Sequence, residues 1–412
     1  MIDPDRRIAV GLFVLTFVSY AYFFGGGGWN QNASFDLTRA IVERGTFAID
    51  AYRTNTYDVS FHDGRTYANK APGLSLLGVI PYAAAYGIER AMGIDIDSFA
   101  ATTFNMWLCT VAVCAGSGAA LMAILFSYAR RMGASPGRSL AIALITAFGT
   151  YVFAYSTVFF AHVPAALFLF WSFTRMDRPC LTAALASAAV VCNYAVLPAA
   201  AIISAAAWFP SGDRLRRLGW MLGGGLPFVA FLLVYQTICF GGPFRTAVEA
   251  TSGVFKTTGA WLGVFIAPRW DVATALLISR HRGLLFLSPV LIYAIAGAIV
   301  MIRRRIMLRE LAVIAGVFLS FLLVNASFNN WEGGSAIGPR YMLPVVPFLA
   351  VTMLSGADVM RPLFVALAAI SMAFNFVVTS VNPLPSRTIH DPLFRYAIPL
   401  LVTGRLPADT PA

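Results

Sequence analysis

The chain has 412 residues, of which 58% are apolar and only 12% charged, with a mean hydropathy of +0.73. Soluble domains carry about 25% charged residues, so this composition excludes an ordinary water-soluble or disordered chain. It leaves an all-α polytopic membrane protein with room for roughly ten to twelve spans. The net charge of +11 reads as orientation signals in short loops, not as a footprint for nucleic acid.

In chain order, apolar runs at 8–24, 72–87, 99–126, 139–155, 159–173, 181–191, 195–208, 218–240, 284–302, 311–326, 341–354 and 363–379 are twelve candidate spans. Compact basic turns separate several of them: Arg130, Arg131 and Arg138; Arg175 and Arg178; Arg214, Arg216 and Arg217; Arg303, Arg304, Arg305 and Arg309. If these turns are cytoplasmic together with Arg6 and Arg7, one early run fails to cross. Run 72–87, short and interrupted by Pro81, is the one expected to lie as a juxtamembrane or re-entrant helix. About eleven transmembrane helices result, in one domain over 1–412 of a multi-pass plasma-membrane protein with a cytoplasmic amino terminus.

That topology assigns 25–98 to a long first extracytoplasmic loop with juxtamembrane helices, 241–283 to a second large extracytoplasmic segment, and 380–412 to a proline-rich extracytoplasmic tail. Runs as short as 181–191 suggest a cavity entering the membrane from one side. The five cysteines lie in or beside apolar stretches without metal spacing and read as small core residues.

Within the first loop, 34–45 reads as an amphipathic helix capped by Ser34 and stopped by Gly45, which puts Asp36 in its first turn. His62-Asp63-Gly64-Arg65 reads as a polar turn between short β-like runs. Lys70, one of only two lysines, stands just ahead of a helix start marked by Pro72. Farther along, Arg280, His281 and Arg282 form a basic cluster that breaks the charge trend and suits an anionic headgroup or phosphate. Gly333, Gly334 and Gly338 precede Arg340 and Tyr341, a setting in which a guanidinium can fork on to a phosphate, with Glu332 placed to orient it or an acceptor.

The order of a first span, Asp36 near its end, a helix closing in Glu43-Arg44-Gly45, then Tyr67 and Lys70-Ala71-Pro72 before an apolar helix, resembles the GT-C superfamily of membrane glycosyltransferases. The nearest likeness is to the protein O-mannosyltransferase and aminoarabinose-lipid A transferase branch, and it is firmest over about residues 1–175. That resemblance implies a GT-C helical bundle that moves a hexosyl or pentosyl unit from a polyprenyl-phosphate donor to a cell-envelope lipid, glycan or protein acceptor, with inversion, on the outer face of the plasma membrane.

By the same resemblance, Asp36 matches the base and Lys70 a lysine beside the donor phosphate. His162 matches a second polar residue opposite the first loop. Arg340, Arg280 and Arg282 complete the expected phosphate-binding set, and His62, Tyr67, His162, Glu332 and Tyr341 the substrate-binding set. Neither main role requires a cofactor, although Asp36, Asp58 and Asp63 offer oxygen ligands for a divalent metal. A lipid-linked sugar flippase and a non-catalytic assembly subunit are the competing readings. Expected partners are the lipid donor, its acceptor and membrane lipids, with no nucleic acid.

Overall fold

A computed structural model describes residues 3–209, 213–251 and 259–405. Its first helix, α1 (Pro4–Tyr22), starts where the Asp3 carboxylate accepts from the Asp5 N–H and Pro4 presets the first turn. α2 (Trp29–Arg44) begins after Gly28 and stops at Gly45. The helix therefore starts one and a half turns before Ser34, and Asp36 sits in its interior instead of its first turn. From that interior position Asp36 does not complement the helix dipole, whose effect is confined to the terminal turn.

The β-like runs form an antiparallel hairpin, β1 (Val59–His62) and β2 (Arg65–Ala68), with His62 opposite Arg65. Asp63 and Gly64 make its two-residue turn with φ of 47° and 73°, both in the region such a hairpin demands. The segment 241–251 adds a third edge: the Phe61 N–H donates to the Ala250 carbonyl at 3.0 Å, and the Ser60 hydroxyl to that of Ala247 at 2.7 Å.

After the hairpin comes α3 (Gly73–Met92). It is followed by α4 (Phe99–Cys109), which passes through a π turn into α5 (Gly116–Arg131) as one continuous 33-residue helix. The bundle continues with α6 (Pro136–Phe148), α7 (Val152–Ser156), α8 (His162–Phe173), α9 (Pro179–Cys192), α10 (Leu197–Trp208) and α11 (Arg214–Phe240). Its last third contains α12 (Trp270–Ile278), α13 (Leu284–Leu287), α14 (Tyr293–Arg304), α15 (Leu308–Ala326), α16 (Val346–Gly356), α17 (Arg361–Val381) and α18 (Ile398–Thr403).

Among the described residues, four helices are long and apolar enough to cross a membrane unaided: Phe99–Arg131, Arg214–Phe240, Leu308–Ala326 and Arg361–Val381. α11 and α17 turn rows of leucine, valine and phenylalanine outward, as a lipid-facing helix does. The inner helices α5, α6, α8 and α16 share the main core. α14 and α16 cross backbone to backbone, since a Cβ built on Gly297 would lie 1.7 Å from the Thr352 carbonyl oxygen. Without an aqueous hydrophobic force, such small-residue contacts carry helix association in a bilayer.

α12 and the helix at Leu393–Thr403 were not legible as elements. The first falls inside 241–283, and the second is an apolar helix within the proline-rich tail. Four cysteines are buried as expected, but Cys180 is exposed. Residues 252–258, which hold Lys256, and 406–412 at the end of the tail lie outside the described residues.

Candidate functional site

α2 is buried almost all round because it is wedged between two apolar clusters. Leu37 and Ala40 face Tyr67, Tyr235 and Phe240, while Phe35 faces Leu74, Tyr82 and Phe159. Asp36 is carried into this wedge and is 2% exposed. Its Oδ1 accepts from the Asn55 side-chain amide at 3.1 Å, whereas Oδ2 is enclosed and has no partner. Burial pushes its pKa up to about 7. The Asn55 hydrogen bond and the Arg39 charge pull the other way, and Glu43 adds a smaller upward push.

One turn on, the same helix is clamped by saturated charges. Arg39 Nε meets Glu43 at 2.7 Å and Arg39 Nη2 meets Asp97 at 2.5 Å. Tyr52 donates to Glu43 at 2.8 Å, and the Tyr82 hydroxyl donates to it as well. These bonds fix the rotation of α2 and with it the direction of Asp36.

Lys70 does not pair with Asp36. It meets Asp58 Oδ2 at 3.1 Å, and both side chains are partly shielded. The two sites are joined by the strap from Asn55, which holds Asp36, to Asp58, which holds Lys70. Within the strap, the Thr56 hydroxyl donates to the Trp29 carbonyl at 2.6 Å and accepts from the Asp58 N–H at 3.0 Å.

The opposite wall comes from residues 160–162, 281–283 and 329–341. Arg340 is 7% exposed, with its guanidinium 4.8 Å from the Phe160 ring centre and 4.9 Å from that of Tyr341. Nη2 donates to the Tyr341 hydroxyl at 3.2 Å, and the enclosed Nε has no partner. Gly333 permits this placement, because a Cβ there would lie 2.8 Å from Arg340 Nε.

Arg282, wholly buried, is spent on backbone. Nε, Nη1 and Nη2 donate to the carbonyls of Glu332 (2.7 Å), His281 (3.2 Å) and Gly334 (2.9 Å). Burial lowers its pKa to about 10, which leaves it charged at neutral pH.

The walls meet electrostatically. Arg340 feels the Asp58 charge, and the His162 ring feels both Arg340 and Lys70. His162 also packs edge-on to Tyr341, with ring centres 5.6 Å apart. The structure therefore gathers Lys70, His162, Arg340 and Tyr341, and ties Asp36 to them through the strap.

Other expected members stand apart. Tyr67 is a core residue against Phe240, and His62 packs over Gly241 with Asp63 at 3.4 Å. Arg280 is exposed and ion-paired with Asp391 at 3.4 Å. Glu332 enters through its backbone carbonyl, held by Arg282. Among the described residues no three of His, Cys, Asp and Glu converge on a common point, so Asp36, Asp58 and Asp63 do not assemble a metal cage. Away from these polar walls, an apolar groove of about 700 Å³ opens between α1, α7 and α17, lined by Val18, Tyr22, Phe153 and Phe376 among others.

Asn55 and Asn193, the side chains that hold Asp36 and His162, carried no sequence signal, because an amide's partner depends on which distant segment is folded against it. Asp58 was visible as a loop acid, but its pairing with Lys70 was not.

No family model matches the chain, and no curated protein matches it in sequence. In structure it is similar to ArnT from Cupriavidus metallidurans, with a TM-score of 0.54 at 14% identity. The match to the crystal structure of ArnT bound to undecaprenyl phosphate covers 95% of this chain and 68% of that one. The match to the apo crystal structure covers 97% and 68%. In fold, then, this chain is an all-α polytopic membrane protein with helices arranged as in ArnT.

Proposed function

We propose that the chain is a glycosyltransferase that moves a sugar from a polyprenyl-phosphate donor to a hydroxyl or amine of a cell-envelope lipid, glycan or protein, at the extracytoplasmic face of the plasma membrane. The observation that carries this reading is Asp36: a buried carboxylate with one free oxygen and a pKa near 7, tied to a cluster of cations. A base is most effective when its pKa lies close to the working pH. The fold adds support, since ArnT has been crystallised with undecaprenyl phosphate.

The chemistry follows from these positions. The acceptor O–H or N–H attacks the anomeric carbon, its proton passes to the Asp36 carboxylate, and the bond between that carbon and the phosphate oxygen breaks with its electron pair going to the departing polyprenyl phosphate. Attack opposite the leaving group inverts the anomeric centre. Lys70 and Arg340 stabilise the charge on that phosphate, the lysine as a point charge and the arginine through its planar donors. Arg282 shapes the backbone turn that Arg340 lies against and, wholly buried with each of its three nitrogens bonded to a backbone carbonyl, makes no direct contact with phosphate. His162 and Tyr341 line the same place, while His62, Tyr67, Arg280 and Glu332 contribute to the loops around it.

The test uses the full chain in lipid nanodiscs. Wild-type protein is expected to bind undecaprenyl phosphate and to transfer sugar from a mixture of polyprenyl-phosphate sugars, with kcat/KM rising through an apparent pKa of about 7. Failure of the wild-type protein to bind undecaprenyl phosphate, or transfer with no base limb in its pH profile, overturns the proposal.

A further inference from the structure

The most tightly specified polar side chain left without a defined job is His162, because a single amide dictates where its proton resides. Asn193 lies at the break between α9 and the short turn Tyr194–Val196, and its backbone is fully used. Its N–H donates to the Ala189 carbonyl at 2.9 Å, and its carbonyl accepts from the Val196 N–H at 3.2 Å. Its side-chain oxygen is also committed, accepting from the Ala195 N–H at 3.1 Å as the cap of that turn. The amide orientation is thereby fixed, and only Nδ2 remains. That nitrogen faces His162 Nδ1 at 3.2 Å.

Nδ2 can only donate, so Nδ1 must accept. An imidazolium is incompatible with this contact, because two N–H groups would point at each other. The ring is neutral and carries its single proton on Nε2. Among the described residues Nε2 has no protein partner, and it is not among the side-chain atoms sealed away from open space. The ring that bears it is only 6% exposed and packs among Phe160, Tyr155 and Tyr341.

The surroundings define what this N–H is for. The charges acting on the ring are both positive, Arg340 and Lys70. The titratable neighbours are already engaged: the Tyr155 hydroxyl donates to the Ile337 carbonyl at 2.8 Å, and the Tyr341 hydroxyl accepts from Arg340. A neutral N–H donor beside two cations suits an anion with several acceptor oxygens. An imidazolium would add a third positive charge to that confined space.

We infer that His162 is a phosphate-binding residue that donates from Nε2 to a phosphate oxygen of the lipid donor, and that Asn193 is the positioning residue that sets its tautomer. This rests on the lipid-phosphate reading above and deepens it by naming the atom and its support.

The test reads the tautomer and the binding separately, on the full chain in nanodiscs. The protein has four histidines, few enough for His162 to be assigned by nitrogen NMR of labelled histidine with a His162→Gln control. Its signal is expected to show a neutral ring protonated at Nε2 in wild type and a mixture of tautomers in Asn193→Ala. With undecaprenyl phosphate as probe, His162→Phe is expected to weaken binding roughly tenfold and Asn193→Ala roughly threefold, the scale of one hydrogen bond to a charged group. His162→Gln, which keeps an N–H donor, is expected to stay within about threefold of wild type.

A His162 ring protonated at Nδ1, or a His162→Phe variant that binds as wild type while Arg340→Ala binds weakly, overturns the inference and leaves the lipid-phosphate reading intact. Loss of undecaprenyl phosphate binding in wild type itself defeats that broader reading instead.

Discussion

The two walls of the site solve the same problem with opposite charges. On the α2 side, Arg39 and Glu43 are saturated by each other, by Asp97 and by two tyrosines, while Asp36 keeps one oxygen free. Across from it, Arg282 is saturated by three backbone carbonyls, while Arg340 keeps its Nε free. In each wall a heavily bonded ion fixes its surroundings, through side chains at Arg39 and Glu43 and through backbone carbonyls at Arg282, and a nearby ion is left incompletely bonded. A buried charge is costly unless paired, so the incompletely paired member persists only where the saturated member leaves its surroundings no room to relax. Charge and burial do not by themselves separate the two kinds of ion; the count of occupied donors and acceptors does, and under the proposed function it is the incompletely bonded one that acts.

That contrast is most exposed to a test at Asp36. Asp36→Asn is expected to reduce transfer by about a thousandfold, the scale of lost general-base catalysis, while undecaprenyl phosphate binding survives. The same variant is expected to be more heat-stable at pH 8. The folded pKa of Asp36 lies near 7, above its ordinary 3.8, so the stability it contributes is complete below about pH 4 and is lost as pH rises through 7. The melting temperature of wild type should therefore fall relative to the variant across that window, by a few degrees. A variant that transfers at the wild-type rate removes Asp36 from the chemistry.

The next largest effect separates the two arginines. Arg282→Met strands three backbone carbonyls and should cost about 3 kcal/mol of stability, read as a lower melting temperature, with poor expression as the severe form. Arg340→Ala should instead leave melting within a few degrees and weaken undecaprenyl phosphate by roughly ten- to a hundredfold. Exchange of those two phenotypes would reverse the assignment of strut and binder.

A smaller effect sharpens the α2 side. The amide of Asn55 lowers the Asp36 pKa, so Asn55→Ala should move the base limb of kcat/KM upward by roughly half a unit to one unit. A downward shift would contradict the hydrogen bond as a tuning element. The smallest expected effect belongs to Arg280, whose exposed ion pair with Asp391 predicts that Arg280→Ala leaves melting and transfer unchanged. A large loss there would restore it to the phosphate-binding set.

How much of this was legible beforehand differs from residue to residue. The hairpin at 59–68 was readable because Asp63-Gly64 supplies the positive φ values its turn requires, a purely local demand. Lys70 stood out because lysine is rare, and Arg340 because glycines precede it. The start of α2 was misplaced because Ser34 is a good local cap, yet tertiary burial of Gln31 and Ala33 extends the helix back to Trp29. Arg280 and Arg282 looked alike as neighbours in one basic cluster; only the fold sends one to solvent and the other beneath the 329–334 turn.

The sequence by itself determined the solvent and the layout: apolar runs too long and too uncharged for water, basic turns between them, and a polar first loop carrying an aspartate and a lysine. These follow from composition and from periodicities of a few residues, which are written locally. The tertiary structure alone decided the pairings, Asn55 with Asp36, Asp58 with Lys70, Asn193 with His162 and the 332–334 backbone with Arg282. Each joins segments brought together by packing. Whether a buried polar atom is satisfied depends on a geometry of a few ångströms between parts of the chain that carry no mutual record in one sequence.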